Sequence, residues 1–307
     1  MRIDYSARRP VWSGLGTDIT GCRSINEALE CSGLDFTVRQ TDVYTDDICP
    51  VRFEGLKANV KDDGTPLGIV SGKYRIVQNE DAFAFVDELA GEGLKFERAG
   101  GLQGGRKTFI LAKLPDRYII SGEAIAPYIV FMNSFDGSSS VRVFTTPLRM
   151  ICMNMLHLAL SKAARSWSAI HCGDIEHKLE DARNTLLYAD KYMHALGEEI
   201  EELKHIHLSD AKVIELVDEL YPVSEGMTDV QRRNVGIKRL EVLERYHHAP
   251  DLVMLKKDGF RFINSVSDAA CHSEPIKRRE NYRENLFLRS VEGDPLIDRA
   301  LRLVHAA

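Results

Sequence analysis

Residues able to do chemistry gather between positions 100 and 165. Gly100-Gly101-Leu102-Gln103-Gly104-Gly105 is followed by Arg106 and Lys107. Backbone N–H groups in such a turn cradle phosphate, and two adjacent cations would assist. No Gly-Lys-Ser/Thr follows and no helix begins there, so this is not a Walker loop. The plainer reading is a hairpin needing φ > 0 at several positions, and it stands ahead. A second polar turn, Asn133-Ser134-Phe135-Asp136-Gly137-Ser138, offers hydroxyls and N–H groups to a phosphate. Asp136 opposes that use unless it caps the turn, and an Asp-Gly hairpin accounts for the same residues.

Thr146-Pro147 reads as a helix start, with Thr as cap and Pro in the first turn. It predicts a helix over residues 148–165, apolar almost all round. At helical spacing Asn154, His157, Ser161 and Arg165 fall on one stripe, with Arg149 in the first turn and Lys162 beside it. Between Gly137 and Gly173 the basic residues are Arg142, Arg149, Lys162 and Arg165, and no acidic residue intervenes. In a chain of net charge −6 this is a local positive island. It reads either as a groove wall following a nucleic-acid backbone or as a buried helix whose few polar groups face solvent. Arg142, Arg149, Lys162 and Arg165, with Arg106, Lys107, Asn154 and His157, are the expected nucleic-acid contacts.

Metal chemistry finds little support. His157, His171, Cys152 and Cys172 fit no zinc spacing. The six cysteines show no CxxC pair, and with no export signal at the N-terminus they are expected as free thiols. There is no nucleophile elbow, HExxH or kinase signature. Glu198-Glu199-Ile200-Glu201-Glu202 reads as a solvated, partner-binding helix face. The expectation is a non-enzyme without metal or cofactor.

The elements that would position these residues divide the chain. Residues 36–146 are rich in β-branched and aromatic residues with Gly and Asp punctuation. They predict an antiparallel sheet of at least five strands, packed on the helix over 148–165. Lys61-Asp62-Asp63-Gly64-Thr65-Pro66 is a hairpin turn, and Asn79 is read as the cap of a short helix. Helices are predicted near 175–204, 209–221, 229–247 and 283–304. The class is α+β, with an α+β sheet domain over 1–173 and a helical region over 174–307. Length and composition, 307 residues with 44% hydrophobic and 28% charged, suit a soluble cytoplasmic globular protein with no membrane span.

Several motifs occur in order. They are Pro10-Val11-Trp12-Ser13-Gly14-Leu15-Gly16, Tyr74-Arg75-Ile76-Val77-Gln78-Asn79, the Gly-rich turn, the turn from Asn133, Pro147-Leu148-Arg149-Met150-Ile151-Cys152-Met153-Asn154, and Ile170-His171. Together they resemble the phage- and plasmid-encoded family carrying the "domain of unknown function 932", over roughly residues 10 to 240 and more loosely to the end. Phe135 stands where that pattern has His, and Met153 where it has Gln. A β-meander followed by a helix with a basic stripe is also similar in architecture to single-strand annealing proteins of the Rad fifty-two type. These resemblances imply a mobile-element protein binding single-stranded nucleic acid as a homo-oligomer, in annealing or as a recombination accessory factor. The alternative is a factor binding a host protein in defence or counter-defence.

Overall fold

Strands in the middle of the chain carry apolar residues at nearly every position, and the sheet they build is covered on both faces. The computed structural model describes residues 3–307 except 92, 116, 117, 121, 140, 169–174 and 279. In chain order, β1 (Thr17–Asp18) and α1 (Ile25–Ser32) precede a three-stranded sheet of β2 (Val38–Tyr44), β3 (Arg52–Lys61) and β4 (Pro66–Ser71). The short helices α2 (Asn79–Phe83) and α3 (Val86–Gly91) follow. Then come β5 (Lys95–Leu102), β6 (Lys107–Lys113), β7 (Tyr118–Ile120), β8 (Glu123–Ser134), β9 (Arg142–Arg149), β10 (Asn154–Met155) and β11 (Ser166–Ser168). The large sheet runs β1-β5-β6-β8-β9-β10, with β7 on β8 and β11 on β9. All the described strand pairings are antiparallel.

Alternation along the strands divides the core. On β6, Ile110 and Ala112 face the layer of α1, α2 and α3, while Phe109 and Leu111 face the opposite layer. On β8, Ile129 and Phe131 join the first layer, and Tyr128, Val130 and Met132 the second. The second layer is built by Trp12 of the N-terminal segment and by the helical half. That half contains α4 (Ile175–His205), α5 (Asp210–Leu220), α6 (Asp229–His248), α7 (Gly259–His272), α8 (Tyr282–Glu292) and α9 (Pro295–His305). Phe287 of α8 packs on Phe109 with ring centroids 4.8 Å apart. A further core joins Leu156, Leu158 and Ile125 to side chains of α4, α5, α6, α7 and α9.

The α+β class and antiparallel pairing agree with the sequence. Three readings need correction. Residues 148–165 are not a helix. β9 runs through Pro147 to Arg149, a turn with Met153 at φ 55° reverses the chain, and β10 pairs back on β9. The Thr-Pro start signal is overridden because Arg142–Arg149 is paired along both edges, with β8 on one side and β10 and β11 on the other. An all-round apolar pattern does not separate a buried strand from a buried helix. The sheet therefore packs on α1, α2, α3 and α8 instead. Asn79 does not cap its helix: it is buried, donating to the Leu34 carbonyl at 2.9 Å and accepting from Thr108 Oγ1 at 2.8 Å. Residues 283–304 form two helices, α8 and α9, divided at Gly293.

Candidate functional site

With no helix over 148–165, the expected stripe disperses. Arg149 is 1% exposed, held by Glu123 and Asp251. Burial opposes its charge, but Cys152 and the Glu123 carboxylate outweigh that and raise its pKa above the ordinary value. Asn154 is buried, its side chain against Cys152 and Asn264. His157 is buried against Tyr192 and pushed down to about 3 by desolvation and by the charge of Arg165. Arg165 reaches Asp298 at 3.0 Å and lies against Gly293. Arg142 donates to Ser166 Oγ at 2.5 Å and lies over the Phe144 ring. Lys162 is exposed but pairs with Glu198 at 2.7 Å. For Arg149, Lys162 and Arg165 the lack of acidic residues along 137–173 is thus made good in space by carboxylates from elsewhere in the chain. Arg149, Asn154 and His157 present no surface to a phosphate.

Both polar turns are hairpin connections, and in each a carboxylate of the chain already accepts a backbone N–H. Gln103, Gly104 and Gly105 have φ of 53°, 73° and 87°, and the Gln103 N–H donates to Glu284 Oε2 at 2.6 Å. The chain's own carboxylate occupies that position. Arg106 beside it is exposed, while Lys107 lies 3.5 Å from Glu292. In the second turn, Asp136 accepts from Ser134 Oγ at 2.6 Å and from the Ser138 N–H at 2.8 Å, closing the turn from within. Burial raises the Asp136 pKa, but these bonds outweigh it and leave it below the ordinary value. Phe135 is buried with Val38, Leu67 and Phe36.

Arg149 belongs instead to a buried chain of alternating charges. Glu123 Oε2 meets Arg149 Nε at 2.8 Å, and Arg149 Nη1 meets Asp251 at 2.6 Å. Asp251 meets Arg8 at 2.6 Å, and Arg8 meets Asp268 at 2.5 Å. Asp268 also receives Arg245 at 3.3 Å and lies 2.7 Å from His272 Nδ1. The pKa of Asp268 is raised by burial but more strongly lowered by His272, Arg8 and Arg245, so its carboxylate form is favoured. This chain fixes the N-terminal segment against α6 and α7. Trp12 completes the fixing, its Nε1 donating to Glu97 at 2.7 Å and its ring packing on Tyr128.

The fixed segment forms one wall of a cleft of about 440 Å³. The other wall is the end of α7, the connection to α8 and the start of α8. Arg9, Arg278 and Arg283, all exposed, line it together with Tyr282, His272, Glu274 and Glu280. Arg278 pairs with Glu274 at 2.7 Å, whereas neither Arg9 nor Arg283 has a carboxylate partner among the described residues. The Tyr282 hydroxyl donates to the Ser273 carbonyl at 3.2 Å, closing the connection on itself. Gly14, at φ 80°, leaves the space that the Arg283 guanidinium approaches. Such a cleft can hold an extended polyanion through charge-assisted hydrogen bonds. The sequence signal for it is Lys277-Arg278-Arg279 with Arg283 and Arg289, five basic residues against Glu280 and Glu284, although the structure of Arg279 lies outside the described residues.

Among the described residues, one group brings metal-ligating atoms together: Glu199, Glu202 and His305, within 4.8 Å of one another. His305 Nε2 and Glu199 already pair at 2.6 Å there. Of the residues drawn together as a metal site from sequence, Cys152 and His157 have separate surroundings, and His171 and Cys172 lie outside the described residues. The five described cysteines are free thiols. Among the described residues no helix is long and apolar enough to cross a membrane.

Comparison with curated proteins and with solved structures finds no match. The model of the domain of unknown function DUF932 matches residues 66–302, which take in the large sheet from β5 onward and the helical half up to α9. The chain belongs to the DUF932 family.

Proposed function

We propose that this protein binds single-stranded nucleic acid, with the phosphate backbone lying in the cleft lined by Arg9, Arg278 and Arg283. The observation that carries the reading is the convergence of three exposed arginines on one cleft against two glutamates, Glu274 and Glu280, with Arg9 and Arg283 lacking a carboxylate partner among the described residues. In a chain of net −6, such a focus of positive charge supplies sequence-independent affinity through counterion release. Arg106 is a further exposed cation, and Arg149, Asn154 and His157 are buried supports of the fold. With phosphates held and most bases free, an incoming complementary strand can pair, which is the annealing or recombination role that the mobile-element resemblance implies. The reading requires no catalytic step and no metal.

Titration of a labelled single-stranded oligonucleotide at low salt without metal, followed by addition of its complement, tests this. Binding that weakens with salt and accelerated pairing are expected. No binding at low salt refutes the reading.

One observation favours protein contact as a second reading. In the three-stranded sheet Thr41, Ala58 and Ile69 stand in one cross-strand row, and Ile69 is 61% exposed. Leu56, two residues along the same face of β3, is also exposed. Exposed apolar faces of this kind mark protein contacts. Light scattering on the purified protein, with and without Ile69→Asp, measures whether this face joins copies of the chain.

A further inference from the structure

The C-terminal ends of α4 and α9 meet over Gly259, the first residue of α7. A Cβ at Gly259 would stand 2.7 Å from Val304 Cγ1 and 3.0 Å from the Leu203 carbonyl oxygen, so the bare backbone lets the two helix ends close in. Leu203 and Val304 are buried, while Glu202 and His305, next to them in sequence, are exposed. Glu199 precedes Glu202 by three residues on α4, a spacing that puts both on one side of the helix. One ligand atom from each of Glu199, Glu202 and His305 lies within 4.8 Å of the other two. Glu199 Oε1 and His305 Nε2, from residues 106 apart in sequence, are 2.6 Å apart. The core contact at Gly259 thus holds donors from two helices together, away from the basic cleft, with which they share no residue.

The charges there favour a cation. Glu199 with Glu202, and Glu198 with Glu202, are like charges at i,i+3 and i,i+4 spacing, which destabilises a helix. They also stand near the negative end of the α4 dipole, and the end of α9 brings a second such end beside His305. Lys162 pairs with Glu198 at 2.7 Å, and Glu199 has His305, which is positive only when protonated. Glu202 has no ion-pair partner among the described residues. A cavity of about 30 Å³, walled in part by Ser161, Glu199 and Glu202, leaves room beside the carboxylates for one water molecule, whose share of the liquid is ~30 Å³.

We infer that Glu199, Glu202 and His305 bind a divalent transition-metal cation, zinc above all, which clamps the end of α9 to the end of α4. One imidazole nitrogen and two carboxylate oxygens are donors that zinc takes, with a fourth position left to water. Magnesium and calcium, which take oxygen ligands, suit the imidazole poorly. The ion takes the place of the proton between His305 Nε2 and Glu199: Nε2 gives its lone pair to the metal, and the proton passes to Nδ1 or to solvent.

The test is calorimetric titration of chelator-treated protein with zinc chloride, beside His305→Ala and Glu202→Gln. Both positions are exposed, so without metal the variants should melt as the wild type does. Zinc also binds exposed thiols, here Cys31 and Cys49, and cobalt(II) spectra separate the two cases. Visible d–d bands without a thiolate charge-transfer band mark nitrogen and oxygen ligation. The inference expects one such cobalt or zinc site per chain and a melting temperature raised by zinc. It expects each variant to weaken that site by about a hundredfold or more, since outer-shell changes alone cost roughly 10–100-fold. The site is refuted if the wild type takes up no zinc, if its cobalt spectrum shows thiolate ligation alone, or if both variants keep wild-type affinity.

Discussion

Arg149 and Asp251, 102 residues apart in sequence, meet at 2.6 Å inside the protein and join the large sheet to the helical half. The same aspartate turns its other oxygen to Arg8 and thereby fixes the segment that forms one wall of the basic cleft. A cation that sequence places on a binding face is, in the fold, a support for a different face.

Arg149→Met is expected to destabilise the protein by about 3–5 kcal/mol, the usual consequence of removing one partner from a buried ion pair, because Glu123 is left unpaired and Asp251 keeps only Arg8. Urea unfolding measures this. The folded variant at low temperature should keep the wild-type salt dependence for nucleic acid. A variant of unchanged stability and weakened binding would return Arg149 to the binding surface.

His157 gives stability a pH dependence of defined sign. Its ordinary value is 6.5, and in the fold it is pushed down to about 3 by burial and by Arg165. Below pH 6.5 the unfolded chain takes up a proton that the folded chain refuses. The contribution is fully present above pH 6.5 and is lost as pH falls from there towards 3, at up to ~1.4 kcal/mol per pH unit. In His157→Asn this component of the slope should be absent. Unfolding free energies measured between pH 7 and pH 4 check it, and equal slopes in the two proteins would contradict the burial of a neutral imidazole.

Lys162→Ala is expected to leave both melting temperature and oligonucleotide affinity unchanged. Its pair with Glu198 is exposed on both sides, and such pairs add little to stability. Differential scanning fluorimetry and anisotropy measure the two quantities. A loss of affinity would place the binding surface over residues 142–165 after all.

The parts of the fold legible in sequence are those with local signals. Asp63-Gly64 marks the β3–β4 hairpin, where Gly64 has φ 89°, and connections between the strands too short for crossovers mark an antiparallel sheet. The helices α4, α5 and α6 fall where their spacing predicts. α7 escapes the sequence reading because Arg261, Asn264, Ser265, Ser267 and Asp268 break up its apolar run, although nearly every one of its residues from Gly259 to Cys271 is buried. β9 is disguised by Pro147, which keeps its place by accepting a hydrogen bond from Leu156 at 3.0 Å. The charges of the site are the least legible. Arg8, Arg149 and Arg245 look like surface cations until residues more than twenty positions away bring Glu123, Asp251 and Asp268 to them. Lys277-Arg278-Arg279 is visible in sequence, but the meeting of Arg278 with Arg9 across a cleft is a tertiary fact.

The most direct test of the central claim is the salt dependence of oligonucleotide binding by Arg9→Ala with Arg283→Ala, beside the wild type. Removing one phosphate-binding cation lowers the log–log slope for a single strand by ~0.7, so removing two should lower it by ~1.4. Because phosphate binding carries no sequence information, the affinity should fall alike for all base compositions. Both arginines are exposed, so melting should be unchanged. A shallower slope with intact folding is the predicted result. A wild type that binds no single strand at low salt, or a double variant with wild-type slope and affinity, would contradict the account.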